Sequence, residues 1–171
     1  RYEYHSLHPL AKVYEPKNYE MDFWGPIPIW EAVRDSRNVP AVRTLDDVGA
    51  QNVVETARKM GITGHVPPYP SLALGAADLG LKDMVRAYGT VAIEGQQSPP
   101  PFLIRRIVDR NGKVLESREQ APGEQVIDKQ TNFQMIQCLQ GVAQRGTGAR
   151  IGGEIQWPLA GKTGTTDDHT D

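Results

Sequence analysis

A helix-rich α/β chain with one β-hairpin and one late strand is the architecture this sequence predicts, and three observations predict it. Leu81, Met84, Val85, Tyr88, Val91 and Ala92 recur at helical spacing as one apolar stripe, while Lys82, Asp83 and Arg86 point away. Asn111-Gly112 stands between two apolar runs, Phe102 to Asp109 and Lys113 to Ser117, which is a strong hairpin signal. From about Pro158 the pattern becomes short and strand-like and runs into Leu159-Ala160-Gly161-Lys162-Thr163-Gly164. No internal repeat or low-complexity tract interrupts it, so a single domain, or part of one, fits 171 residues.

The elements follow in order. Residues 1 to 28 carry Pro9, Pro16, Pro26 and Pro28 and no sustained period, and read as extended chain or loop. A short helix is expected over Ile29 to Asp35 with Ile29, Trp30 and Val33 inward. Pro40 suits the first turn of the next, over Ala41 to Val48, which Gly49 stops. A third spans Gln51 to Met60, with Val53, Val54, Ala57 and Met60 on one face and Gly61 as its C-terminal stop. Ser71 to Gly75 reads as a turn of strand or an apolar loop. Asp128 is a good N-cap for a last helix reaching about Gln144, with Phe133, Ile136, Leu139 and Val142 inward. Arg145-Gly146-Thr147-Gly148 breaks that helix. Tyr14, Tyr19, Phe23, Trp24 and Trp30 read as core packing before they read as a substrate groove.

Composition removes several function classes. With 39% hydrophobic and 23% charged residues the chain can pack a core, which argues against disorder. A formal net charge of −2 without a basic stripe argues against a nucleic-acid surface. Apolar stretches are too short to span a membrane. Cys138 stands alone, excluding an internal disulfide and a cysteine-rich zinc site, and it reads as helix packing. His5 and His8 lack a third ligand and read as solvated, so neither metal nor cofactor is expected. Asp167 and Asp168 read as a strand-end turn rather than a general-base pair.

Gly161-Lys162-Thr163 has the ending of a phosphate-binding loop, but Gln156 stands where that loop's first glycine belongs, and Pro158 removes a backbone donor. Gly164, Thr165 and Thr166 are poor at opening the helix such a loop needs. Gly146 to Gly152 likewise misses a dinucleotide fingerprint, because Ile151 occupies the third glycine position. Acyl transfer fits better. In a strand, Thr163 and Thr165 share one face, and two hydroxyls beside the Lys162 ammonium suit a substrate carboxylate. Gly164 leaves room for another backbone, and the Thr165 N–H is placed to hold a developing oxyanion. Upstream, Asp35-Ser36-Arg37-Asn38-Val39-Pro40 puts a Ser-x-Asn in a helix-to-helix joint. Pro40 biases Val39 away from helical angles, and an extended joint would point Ser36 and Asn38 the same way. Either residue alone reads as an ordinary helix cap before it reads as a site residue.

Together, Ser36-Arg37-Asn38 and Lys162-Thr163-Gly164 resemble the second and third motifs of the transpeptidase domain of class A penicillin-binding proteins. The likeness extends over nearly the whole chain: Gly25 to Val42, Pro70 to Gly75, Met84 to Tyr88, Arg145 to Arg150 and Gly161 to Asp168. The Thr165-Thr166 ending points to the bifunctional class A group more than to serine β-lactamases. The resemblance implies a partial penicillin-recognising serine-transferase (β-lactamase-like) fold, with Lys162 to Thr165 as one strand of an antiparallel sheet. It implies a D,D-transpeptidase that cross-links peptidoglycan stem peptides ending in D-Ala–D-Ala and is acylated by β-lactams. In that reading Ser36 relays a proton, Asn38 holds the peptide carbonyl side, Lys162 supplies field, and Thr163 and Thr165 bind the carboxylate.

Ser-x-x-Lys, the motif that carries the family's nucleophile, occurs nowhere in the sequence. Residues 1–171 are therefore expected to be an interior part of one transpeptidase domain, lacking the N-terminal nucleophile segment and the C-terminal strands. Such a piece is expected to be inactive alone. The parent is expected to be membrane-anchored at the extracytoplasmic, periplasmic face of the bacterial inner membrane. The alternative is a non-catalytic β-lactam sensor on the same fold.

Overall fold

Six α-helices, a 3-10 turn and a two-stranded hairpin make up the computed structural model, which describes residues 14–119 and 121–164. In order they are α1 (Ile29–Arg34), α2 (Asn38–Val48), α3 (Ala50–Lys59), the 3-10 turn (Pro70–Leu74), α4 (Leu81–Ala92), β1 (Arg106–Val108), β2 (Val114–Ser117), α5 (Lys129–Arg145) and α6 (Ala149–Glu154). The chain divides into two compact units. Among the described residues, one holds 14–54, 66–78 and 133–164, the other 55–65, 79–119 and 121–132.

The first unit is organised on α2, which packs against both α1 and the 3-10 turn. Val42 and Leu45 are buried there, and Ala32, Val54, Val66, Leu139, Val142 and Ala143 complete the buried apolar set among the described residues of this unit. Pro40 lies in the first turn of α2 as expected, yet the helix begins at Asn38, so Val39 is helical despite the proline after it. A distant side chain explains this. The buried Asn18 accepts the Val39 N–H at 3.1 Å, satisfying a donor that a helix N-terminus leaves free. Gly49, with φ of 83°, ends the helix.

The expected inward faces need correction. Ile29 is 61% exposed and Trp30 is also exposed, and Ala32 is what α1 buries. Phe133 is 62% exposed on α5, whereas Leu139, Val142 and Ala143 are buried. Tyr19, Phe23, Trp24 and Trp30 do not form a core either. Trp24 and Trp30 are faces for the Arg37 and Arg34 guanidinium groups, 4.2 and 5.1 Å from the ring centroids. Between the Arg145–Gly148 break and Pro158, where the sequence predicts no element, the chain forms helix α6. Two glycines disfavour a helix locally. Gly152, however, lets α6 lie so close to α5 that a Cβ there would collide with the Ala143 carbonyl.

In the second unit α4 forms over the expected residues but turns its other face inward. Leu81 is 79% exposed and Val85 also faces solvent, while Ala87 and Thr90 are buried. Directional polar contacts set this orientation. Asp83 accepts the backbone N–H groups of Thr63 and Gly64 at 2.9 and 2.8 Å. These bonds hold its carboxyl below the usual aspartate range. Arg86 donates to the Ser98 carbonyl at 2.8 Å and the Gly61 carbonyl at 3.3 Å. A burial-only reading of the helix missed these bonds, because periodicity cannot register them.

The hairpin pairs Arg106 with Ser117 and Ile107 with Glu116, antiparallel. Its turn is longer than a two-residue Asn-Gly turn. Asp109 accepts the N–H groups of Asn111 and Lys113 at 2.8 and 2.9 Å, and only Gly112 has positive φ. That is a turn closed by a glycine bulge rather than one with both central residues left-handed. Residues 159–164 carry no strand pairing among the described residues, so the expected Lys-Thr-Gly strand is not formed there. A strand without a neighbour has no ladder to define it.

Thr90 tests the polar construction of the second unit. It is fully buried, and its hydroxyl accepts the Ser98 N–H at 2.9 Å and donates to the Arg86 carbonyl at 3.2 Å. Thr90→Val keeps the shape but leaves the half-buried Ser98 N–H without its acceptor, and should lower unfolding free energy by about 1–3 kcal/mol. Urea denaturation checks this. A loss below about 0.5 kcal/mol would mean that water reaches Ser98.

Candidate active site

The site is built on the way α1 stops. Its last turn closes with the Arg37 N–H donating to the Ala32 carbonyl at 2.9 Å and the Ser36 N–H donating to the Val33 carbonyl at 3.3 Å. This pair of bonds requires a left-handed residue between them, a place that glycine usually takes. Ser36 occupies it, with φ of 53°. The joint is therefore not the extended segment the sequence implied. Ser36 turns left-handed, and Asn38 is already the first residue of α2. The side chains consequently part: the Asn38 amide donates to the Lys17 carbonyl at 2.9 Å.

Arg37, between them, is the anchor. Its side chain is 3% exposed. It pairs with Glu20 at 3.1 Å and with the Asp22 carboxylate, and donates to the Asp22 carbonyl at 3.0 Å. Chiefly through its hydrogen bond, the guanidinium holds the Asp22 carboxyl below the usual range. Residues 17–22 thus wrap the joint, since Asn18 also donates to the Asp22 carbonyl at 2.7 Å. Neither Arg37 nor Asn18 was singled out from sequence. The signal available was an arginine between two candidate polar residues with acidic residues upstream.

Lys162 reaches this joint from the far end of the chain. Its Nζ donates to Ser36 Oγ at 2.7 Å across a separation of 126 residues. The same ammonium donates to the Thr163 carbonyl at 3.0 Å and the Thr163 hydroxyl at 3.3 Å. Thr163 Oγ1 lies 2.8 Å from Thr147 Oγ1. Although the side chain is exposed overall, neighbouring protein atoms desolvate the Lys162 ammonium and lower its pKa below the usual lysine value. The Gly161 N–H donates to the Leu139 carbonyl at 3.2 Å and ties the segment to α5. A Cβ at Gly164 would meet nothing within 4 Å among the described residues, so no backbone there exploits its missing side chain. Thr165, expected to bind a carboxylate and support an oxyanion, lies outside the described residues, as do His5, His8, Asp167 and Asp168.

Of the sequence-predicted set, the structure brings Ser36, Lys162 and Thr163 together and directs the Asn38 amide elsewhere. The result is an exposed patch that joins the Lys162 ammonium to the hydroxyls of Ser36, Thr163 and Thr147. It can hold an anionic group and pass a proton along Ser36. Ser36→Gly and Ser36→Ala both delete the hydroxyl, but only glycine relieves the left-handed backbone. Ser36→Gly should be the more stable of the two by about 1 kcal/mol, as measured by urea unfolding. Equal stabilities would show that Ser36 is not strained.

A family model described as the penicillin binding protein transpeptidase domain matches residues 71–171. The chain is 39% identical over 157 residues to Penicillin-binding protein 1A of Aquifex aeolicus, covering 91% of this chain and 21% of that protein. It is 32% identical over 188 residues to Penicillin-binding protein 1A of Rickettsia bellii, covering 97% of this chain and 24% of that one. The chain thus spans about a fifth to a quarter of the length of these relatives. The crystal structure of Penicillin-Binding Protein 1A from Haemophilus influenzae superposes with a TM-score of 0.85 at 23% identity. That match covers 97% of this chain and 30% of that one, and speaks to fold.

Proposed function

The chain belongs to the class A penicillin-binding protein transpeptidase family, and on that footing we propose that it supplies the carboxylate-binding and proton-relaying side of a serine-type D,D-transpeptidase site. The observation that carries this reading is the 2.7 Å bond from Lys162 Nζ to Ser36 Oγ, which joins the two motifs. The reaction transfers an acyl group. A serine hydroxyl adds to the carbonyl of the penultimate D-Ala of a stem peptide, the bond to the terminal D-Ala nitrogen breaks, and that nitrogen takes a proton. An amine of a second stem then attacks the ester, and the serine recovers its proton. The acyl-carrying serine belongs to a Ser-x-x-Lys that this sequence does not contain.

The residues present divide the remaining work. Ser36 passes the proton to the departing nitrogen, and the Lys162 ammonium holds the Ser36 oxygen and supplies positive potential. Thr163 and Thr165 hold the terminal carboxylate of the stem, with Gly164 between them. Asn38, whose amide bonds to the Lys17 carbonyl in this structure, would have to turn toward the peptide side of the substrate. Peptidoglycan stems and β-lactams, which imitate their ends, are the ligands of this reading. Residues 1–171 act as the interior of a transpeptidase domain in a membrane-anchored, extracytoplasmic parent.

Two outcomes test it. The isolated polypeptide should form no covalent adduct with a fluorescent penicillin, whereas the full-length protein should be labelled and should release D-Ala from a stem-peptide donor. Labelling without D-Ala release or transfer would instead support a β-lactam sensor on this fold. Labelling of the isolated chain would refute the missing nucleophile.

The second outcome is a pH profile. Desolvation disfavours the charged form of Lys162, so its ammonium is lost as pH rises through a value below the ordinary lysine figure of about 10.4. Acylation by a carboxylate-bearing penicillin should therefore fall along an alkaline limb centred below that value. Lys162→Arg, which stays charged, should remove the limb even if its rate is lower. A limb unchanged in Lys162→Arg would assign it to another group.

A further inference from the structure

Thr147 lies outside the Ser36 and Lys162 motifs, in the Arg145 to Arg150 stretch to which no site role was given, yet it touches both segments that make the site. Its N–H donates to the Arg34 carbonyl at 3.3 Å, at the end of α1 just before Ser36. Its hydroxyl lies 2.8 Å from that of Thr163. Its flanks leave little freedom. The N–H groups of Gly146 and Gly148 both donate to the Val142 carbonyl at 3.1 Å, and a Cβ on Gly146 would collide with the Arg34 carbonyl. Thr147 is thus held at the meeting point of the ends of α1 and α5, facing Thr163.

Counting protons gives this contact a direction. An ammonium only donates, so the Thr163 oxygen spends one lone pair on Lys162. A hydroxyl has one proton and two lone pairs. Were Thr163 to donate to Thr147, its only proton would be used, and an incoming carboxylate, which can only accept, would meet lone pairs. With Thr147 as donor, both Thr163 lone pairs are filled and its proton is left for the ligand. We infer that Thr147 is a positioning residue that orients the Thr163 hydroxyl by donating to it, making Thr163 a donor to the substrate carboxylate. This rests on the acyl-transfer reading above.

The test compares two probes on the full-length protein carrying the nucleophile segment: benzylpenicillin, which bears the carboxylate, and its methyl ester, which does not. Thr147→Val keeps the shape without a proton to give. It should slow acylation by benzylpenicillin about tenfold, the upper end of what one ordinary hydrogen bond contributes, and change the ester rate less than about twofold. Thr147→Ser should restore discrimination between the probes. Because both rates come from one preparation, their ratio does not depend on how much of the variant is folded. Equal losses for the two probes, or no loss for either, would overturn the role of Thr147 while leaving the transpeptidase reading intact. Failure of the wild type to react with either probe would overturn both.

Discussion

A helix that must end in a left-handed residue, and does so with serine rather than glycine, is the constraint around which this structure is arranged. The two closing bonds of α1 commit Ser36 to positive φ, and that turn presents its hydroxyl to Lys162 instead of lining it up with Asn38. Glycine would satisfy the backbone at lower energy but would bring no hydroxyl. An observed backbone outlier beside a desolvated lysine is the kind of place where strain and chemistry coincide. Arg37 secures the turn from the other side, spending its guanidinium on Glu20, Asp22 and the Trp24 face.

Around that joint the molecule relies on directed polar contacts as much as on apolar burial. Asp83, Arg86 and Thr90 orient α4 through backbone partners, and Asn132 anchors the start of α5 by donating to the Val91 carbonyl at 2.9 Å. Such bonds have a direction and a length, so they select one face of a helix where hydrophobic pressure alone selects any apolar one. Leu81 on α4 and Phe133 on α5 remain open to solvent as a consequence. The relatives extend well beyond the span this chain matches.

Lys162 is the electrostatic centre of the patch. Its three N–H groups have three oxygen partners in Ser36 and Thr163, so the charge is held in place rather than swinging freely on its stem. Desolvation by the surrounding protein weakens the hold on its proton. A fixed, partly desolvated cation next to hydroxyls acts more strongly on an anion than a solvated one would, because water screens it less.

The sequence by itself determined the punctuation of the helices and the identity of the chemical groups. Gly49, Gly61 and Asp128 act within a few residues of themselves, so the ends of α2 and α3 and the start of α5 were legible, with Asp128 accepting the Thr131 N–H at 2.9 Å. The two motifs were legible as residue types, and so was the family they resemble. Tertiary structure alone decided which faces turned inward, that α6 is a helix, that Ser36 and Asn38 diverge, and that Thr147 meets Thr163. Each of these depends on a partner distant in the chain: Thr63 and Gly64 for α4, Ala143 for Gly152, Lys17 for Asn38. Local propensity and periodicity carry information about neighbours along the chain, whereas a hydrogen bond across 126 residues exists only once the chain has folded back on itself.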